Sequence, residues 1–151
     1  MCHTPEVSGW LGSASRTQAN TCGNSRATWS NYGAGFPGTN GVPSFTAQTA
    51  PVIGAMLILD LGNSLGSFTN GLVFYGVERA TIPSGWGGVL LVDPRVTQLV
   101  GIDAAGMTIA GIIPDDPSLL GVTLDLQAIE LDAGAAHGMS FTPGLELAFG
   151  Y

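Results

Sequence analysis

Two histidines, His3 and His137, two cysteines, Cys2 and Cys22, and acidic residues near the ends of apolar segments are the side chains whose types could do chemistry. Neither histidine lies at i, i+2 or i+4 from another good ligand, and a zinc site needs at least three protein ligands. In Gly134-Ala-Ala-His-Gly138, His137 reads as a solvated loop residue. A Ser-His-Asp triad can be drawn on paper, but no Gly-x-Ser-x-Gly elbow is present. A hydrolase would need His137 close to Ser, Asp or Glu in a pocket. Asp93, Asp103, Asp115, Asp116 and Asp132 are candidate oxygen ligands for calcium at strand ends, with spacing that matches no EF-hand. They read equally as turn starters, accepting local backbone hydrogen bonds as in Asp-Asp-Pro. Glycosidase chemistry would need two carboxylates across one cleft. The reading is therefore of a non-catalytic chain with no resident cofactor, calcium being the one alternative.

Aromatics are the more informative group. Trp86 sits in Pro83-Ser-Gly-Trp-Gly-Gly88, a loop too rich in glycine to bury it with its own neighbours. An exposed Trp face can stack on a sugar or fill a partner's pocket; the plainer role is to plug one end of a β-sandwich. Trp29 and Tyr32 read in the same two ways at a head–body junction.

Charge narrows the partners. The 151 residues hold four Arg, no Lys and eleven acids, a net charge of −7, which repels phosphate backbones and argues against nucleic acid. Residues 1–26 carry Arg16, Arg26 and Glu6, net +1, while the remainder sets two Arg against ten acids, net −8. No stretch approaches the roughly 18 apolar residues of a membrane-spanning helix. Cys2 and Cys22 can close one loop as a disulfide, which suits an oxidising compartment; two free thiols, or lipid attachment at Cys2, are the alternatives. The start lacks a basic region and an apolar core of a secretory signal and reads as cut from a longer chain.

The positioning elements are strands. Residues 1–43 are rich in Ser, Thr, Asn and Gly without periodicity and read as an extended, irregular polar segment, tied down by its disulfide, by packing of Trp10 and Trp29, or by a neighbouring chain. From Ser44 a period-2 pattern takes over, in short segments split by the turn residues that 23 Gly and 9 Pro supply. The alternation predicts strands at Ser44–Ala50, Met56–Leu61, Leu72–Val77, Val89–Val92, Val96–Ile102, Met107–Ile113 and Val122–Leu131, and a last one through Leu145, Leu147 and Phe149. Asn70-Gly71 reads as a hairpin signal, and Pro114-Asp-Asp-Pro117 as a turn or one helical turn. In Val122–Leu131 the apolar phase slips from Val122, Leu124, Leu126 and Ala128 to Ile129 and Leu131, as a β-bulge would produce, leaving Thr123, Asp125, Gln127, Glu130 and Asp132 outside. Seven to eight strands over residues 44–151 make an all-β antiparallel sandwich or jelly roll.

Tyr32-Gly-Ala-Gly-Phe-Pro-Gly-Thr-Asn-Gly-Val-Pro43, Ala50-Pro-Val-Ile-Gly54, Ile113–Gln127 and Met139–Leu147 together resemble an uncharacterised secreted bacterial β-sandwich module found near the C-terminus of large cell-surface proteins. The resemblance covers Ala27–Tyr151. In that module the position of Phe36 is often Cys, so this chain would lack a bridge its relatives have. The resemblance implies export and a non-catalytic role.

Two functions follow as expectations. The first is a structural or interaction module of an extracellular or cell-surface assembly, a filament-type subunit whose N-terminal segment docks on a neighbour, with few charges to protect its edge strands. The second is a carbohydrate-binding or adhesive module that uses Trp86 and neighbouring loops on polysaccharide, with or without calcium.

Overall fold

The computed structural model describes residues 25–151. Cys2 and Cys22, and with them the disulfide, lie outside the described residues, as does Trp10. The alternating pattern folds into eleven strands among the described residues: β1 Thr28–Tyr32, β2 Phe45–Ala47, β3 Met56–Leu61, β4 Thr69–Gly76, β5 Arg79–Pro83, β6 Val89–Val92, β7 Val96–Ile102, β8 Met107–Ile112, β9 Thr123–Leu131, β10 Met139–Phe141 and β11 Gly144–Ala148. A 3-10 turn at Pro117–Leu119 is capped by Asp116, whose side chain accepts from the Ser118 N–H. No described helix is long and apolar enough to cross a membrane.

All pairings between these strands are antiparallel. The larger sheet runs β1-β11-β9-β4-β7, with β10 also on β9; the smaller runs β2-β3-β8. Between them Phe45, Leu59 and Leu61 of the smaller sheet meet Val73, Val100, Ile102, Leu126, Ala128, Leu145 and Leu147 of the larger, all buried. The all-β sandwich expected from periodicity is the observed architecture. Its strands exceed the expected seven to eight because β1, β5 and β10 are too short or too irregular for alternation to reveal.

A hairpin of β5 and β6 adds a partial third layer on the outer face of the larger sheet. Gln127 of β9 holds it there: its Oε1 accepts from the Leu91 N–H at 2.8 Å, and its Nε2 donates to Val89 O at 3.1 Å and to Thr142 O at 2.9 Å. The Tyr32 hydroxyl also donates to Leu91 O.

That layer corrects the reading of β9. Asp125, Gln127, Glu130 and Asp132, expected outside, are all buried. Nor does β9 carry a bulge, since its register against β4 runs unbroken from Gly76↔Asp125 to Gly71↔Glu130. The apolar phase slips because the strand is covered on both faces and has no solvent side to mark. The extra residue lies in the partner: Phe141 pairs with Ile129 and Leu145 with Leu126, so four steps oppose three across Thr142-Pro143. Proline, with no N–H to give the ladder, suits such a break.

Two further readings change. Thr28–Tyr32, expected in the extended segment, form an edge strand of the larger sheet by pairing with β11, and Phe36 exchanges backbone hydrogen bonds with Phe141. Residues from about Ala27 thus belong to the folded unit. Asn70-Gly71 lies inside β4 and makes no turn. A Cβ at Gly71 would stand 2.7 Å from Ile129 O and 2.9 Å from Ile102 Cδ1, so glycine is there to let strands and core approach. Gly71→Ala is expected to cost about 1–3 kcal/mol by overpacking, read as a lower midpoint in thermal unfolding with the β-type circular dichroism spectrum retained.

Candidate functional site

Trp29, Tyr32 and Trp86 do not share a surface. Trp29 pairs with buried Leu147 and faces the sandwich interior at its rim, whereas Tyr32 belongs to the opposite face of β1, since side chains alternate along a strand. Trp86 stands half exposed at the tip of the β5–β6 hairpin, in a loop closed by hydrogen bonds from the Ser84 N–H and hydroxyl to Gly88 O. The aromatic pair found among the described residues is Phe36 edge-on to Phe141, centroids 6.4 Å apart. His137 is exposed, and no hydrogen bond joins it to a serine or carboxylate among the described residues. The candidate calcium ligands do not converge there either: Asp93 pairs with Arg95 at 3.0 Å, Asp116 caps the 3-10 turn, and Asp132 is sealed inside.

Tyr32 belongs instead to a charged cluster that sequence reading missed. Glu146 and Asp125 are direct cross-strand neighbours on β11 and β9, a like-charge pairing that destabilises a sheet. Arg79 of β5 resolves it, with Nη2 2.8 Å from Glu146 Oε2, Nε 3.8 Å from Asp125 Oδ1, and its guanidinium carbon 3.9 Å above the Tyr32 ring. Burial pushes the Asp125 carboxyl up and the Glu146 charge adds to this, while Arg79 works against both. Burial, then the Asp125 charge, raises the Tyr32 hydroxyl in turn. Arg79→Met is expected to cost about 1–2 kcal/mol, a figure kept small because the guanidinium is half in water; Arg79→Lys should recover part, lacking the planar stack on Tyr32. Thermal unfolding of both variants checks the order.

A second polar network closes the far end of β9. Asp132 accepts from the Thr39 N–H at 2.8 Å, the Thr39 hydroxyl at 2.5 Å, the Ser64 hydroxyl at 2.6 Å and the Gly134 N–H at 2.9 Å. Burial alone would raise its carboxyl, but these donors outweigh burial and bring it down to about 2. Glu130, fully buried, accepts from the Ser64 N–H at 2.9 Å, and its Oε1 has no partner. Ser64 has one hydroxyl proton to give, and its shortest contact is to Asp132. That hydroxyl also stands 3.1 Å from Glu130 Oε2, and burial pushes the Glu130 carboxyl up. Gly38 must be glycine, because a Cβ there would overlap Asp132 Oδ2 and Ser64 Oγ.

The signs for pH follow. Glu130, raised on folding, stabilises at acid pH, and its contribution fades as pH climbs through its raised value. Asp132, lowered, stabilises above its ordinary 3.8 and loses this as pH falls toward about 2. Stability should peak in mild acid. Glu130→Gln, which keeps the shape and removes a titrating carboxyl, should lessen the fall on the neutral side of a Tm-against-pH curve, where Asp125 still contributes, and leave the acid fall intact.

With Ser64, Glu130, Asp132 and Ser140 buried and Thr39 at the surface, this network can anchor loops. The accessible feature is one side of the sandwich. β7 ends the larger sheet and β8 the smaller, joined by a turn in which the Gly106 N–H donates to Asp103 O. Neither Val96-Thr-Gln-Leu-Val-Gly-Ile102 nor Met107-Thr-Ile-Ala-Gly-Ile112 contains a charge or a proline. Leu99 is 73% exposed and Ile112 72%. Beside β7, Leu72, Leu99, Leu131 and Met139 line an apolar groove of about 190 Å³. The opposite side is stitched: Asn31 of edge strand β1 donates to Phe45 O of β2 at 2.7 Å and to Gly144 O at 3.1 Å. No family model matches the chain, and neither a curated protein nor a solved structure does.

Proposed function

We propose that this protein is a non-catalytic interaction module that assembles with copies of itself by strand addition along β7 and β8, in an extracellular or cell-surface structure of filament type. The observation that carries the reading is the pair of uncharged, unbulged edge strands on one side of the sandwich. Edge strands present unpaired N–H and C=O groups, and proteins that stay apart protect them with Lys, Pro, bulges or cover. Among the described residues that protection is absent from both strands and apolar side chains flank them, so a strand from another copy gains ladder hydrogen bonds and buried apolar surface together. The extracellular setting rests on the resemblance to secreted modules and on Cys2 and Cys22 as a disulfide pair. Carbohydrate binding through Trp86 gains less support, because no second aromatic stands stacked beside it among the described residues.

Light scattering coupled to size-exclusion chromatography tests the reading on the full chain. The parent is expected to form concentration-dependent oligomers. Leu99→Lys combined with Ala110→Lys, both at exposed positions of these strands, should yield monomers with a melting temperature within a few degrees of the parent. A parent that stays monomeric at every concentration sinks the proposal, as does a lysine variant that assembles like the parent.

A further inference from the structure

Near Tyr75, Leu124 and Phe149 the two sheets part, leaving a pocket of about 330 Å³ that opens to solvent. Leu57 and Leu59 of β3 and Ile109 of β8 form one wall, Leu126 and Leu147 the other, and Ile113, Pro114 and Leu119 border one end. The volume falls within the roughly 300–1,000 Å³ typical of ligand sites.

One residue shows why the space exists. Gly111 pairs with Leu57 in the register that turns Ile109 and Leu59 inward, so it occupies a position where a core side chain would fill the gap. Its backbone has no positive φ, and a Cβ there would meet nothing within 4 Å. Neither conformation nor crowding asks for glycine. A glycine inside a strand weakens it, and what this one leaves is room.

The walls set the chemistry of an occupant. No charged residue lines the pocket. The Tyr75 hydroxyl already donates to Gln98 Oε1 at 2.8 Å. Packed sheets stand about 10 Å apart, room for one layer of side chains, so an occupant must be one hydrocarbon chain thick. Asp115 and Asp116 stand in the chain between Pro114 and Leu119, which line the pocket, and no cation lines it to receive an anion. An anionic head would meet the field of these two carboxylates unfavourably.

We infer that the Gly111 pocket binds the unbranched hydrocarbon chain of an amphiphile whose head is uncharged or cationic. The site shares β8 with the proposed strand addition but rests on the space beneath that strand, and probe binding is read separately from oligomeric state. The test uses the full chain and N-phenyl-1-naphthylamine, an uncharged probe that fluoresces in apolar surroundings. Saturable fluorescence is expected, displaced by dodecanol and dodecyltrimethylammonium at tenfold or more lower concentration than by dodecanoate. Vesicles of phosphatidylcholine that displace the probe would place the source in a membrane; displacement by the free amphiphiles alone would mark a soluble one, and either result supports the site. Gly111→Leu should weaken probe binding at least tenfold and raise the melting temperature, with Gly111→Val intermediate in both.

No saturable signal, or unchanged binding in both Gly111 variants, overturns the site. Equal displacement by dodecanoate overturns the head-group selectivity. Binding that emerges only in a Trp10→Ala, Leu11→Ala double variant would mean that the chain's own head fills the pocket, and the ligand proposal would fall.

Discussion

Everything in this sandwich is organised by the double burial of β9. A strand covered on both faces must carry apolar side chains or find partners for every polar one, since a buried polar group left unpaired costs about 1–3 kcal/mol. β9 does both. Leu126 and Ala128 enter the core, Gln127 fastens the β5–β6 hairpin, and Asp125 and Glu130 each carry a buried oxygen that lacks a hydrogen bond among the described residues. Arg79 approaches the Asp125 oxygen at 3.8 Å, and Ser64 bonds the other oxygen of Glu130. Loops that would otherwise wander, at Gly38–Thr39 and Asn63–Ser64, are drawn onto the end of the strand by this need for donors.

Polar satisfaction at the centre contrasts with its neglect at the rim. Arg79 is drawn to Asp125 and Glu146, and Asp132 to the loop donors, while Asp93 and Arg95 pair with each other at the surface. The sequence holds no Lys, and neither β7 nor β8 carries an Arg. The exposed Leu99 and Ile112 and the glycine at 111 belong to the same economy, in which the surface near these edges stays apolar.

Much of the fold was legible because antiparallel strands with one wet face write alternation into the sequence. Met56–Leu61 and Val96–Ile102 appear with the bounds read from period 2. Where a strand has no wet face the pattern fails, and β9 mimicked a bulge that lies across from it at Thr142-Pro143. Asn70-Gly71 misled for a related reason: glycine signals a turn by its conformational freedom, yet at 71 it is needed for its missing Cβ. The edge surface was partly legible as scarcity of charge. The Arg79 cluster was not, because Tyr32, Arg79, Asp125 and Glu146 come from four separate strands and no local spacing links them. Trp86, the most conspicuous side chain in the sequence, stands apart from both polar networks.

The pairing of β1 with β11 joins two ends of the folded unit, and the Tyr151 N–H donates to Ser25 O at 3.2 Å beside it. The edge of the larger sheet therefore closes only when the last strand arrives. During synthesis Thr28–Tyr32 must wait, unpaired, for nearly the whole domain to follow, and such long-range closure slows folding. Throughout that wait the uncharged strands are available to one another on neighbouring nascent chains. How long the β1 edge stays open is thus set by the time the ribosome takes to reach β11.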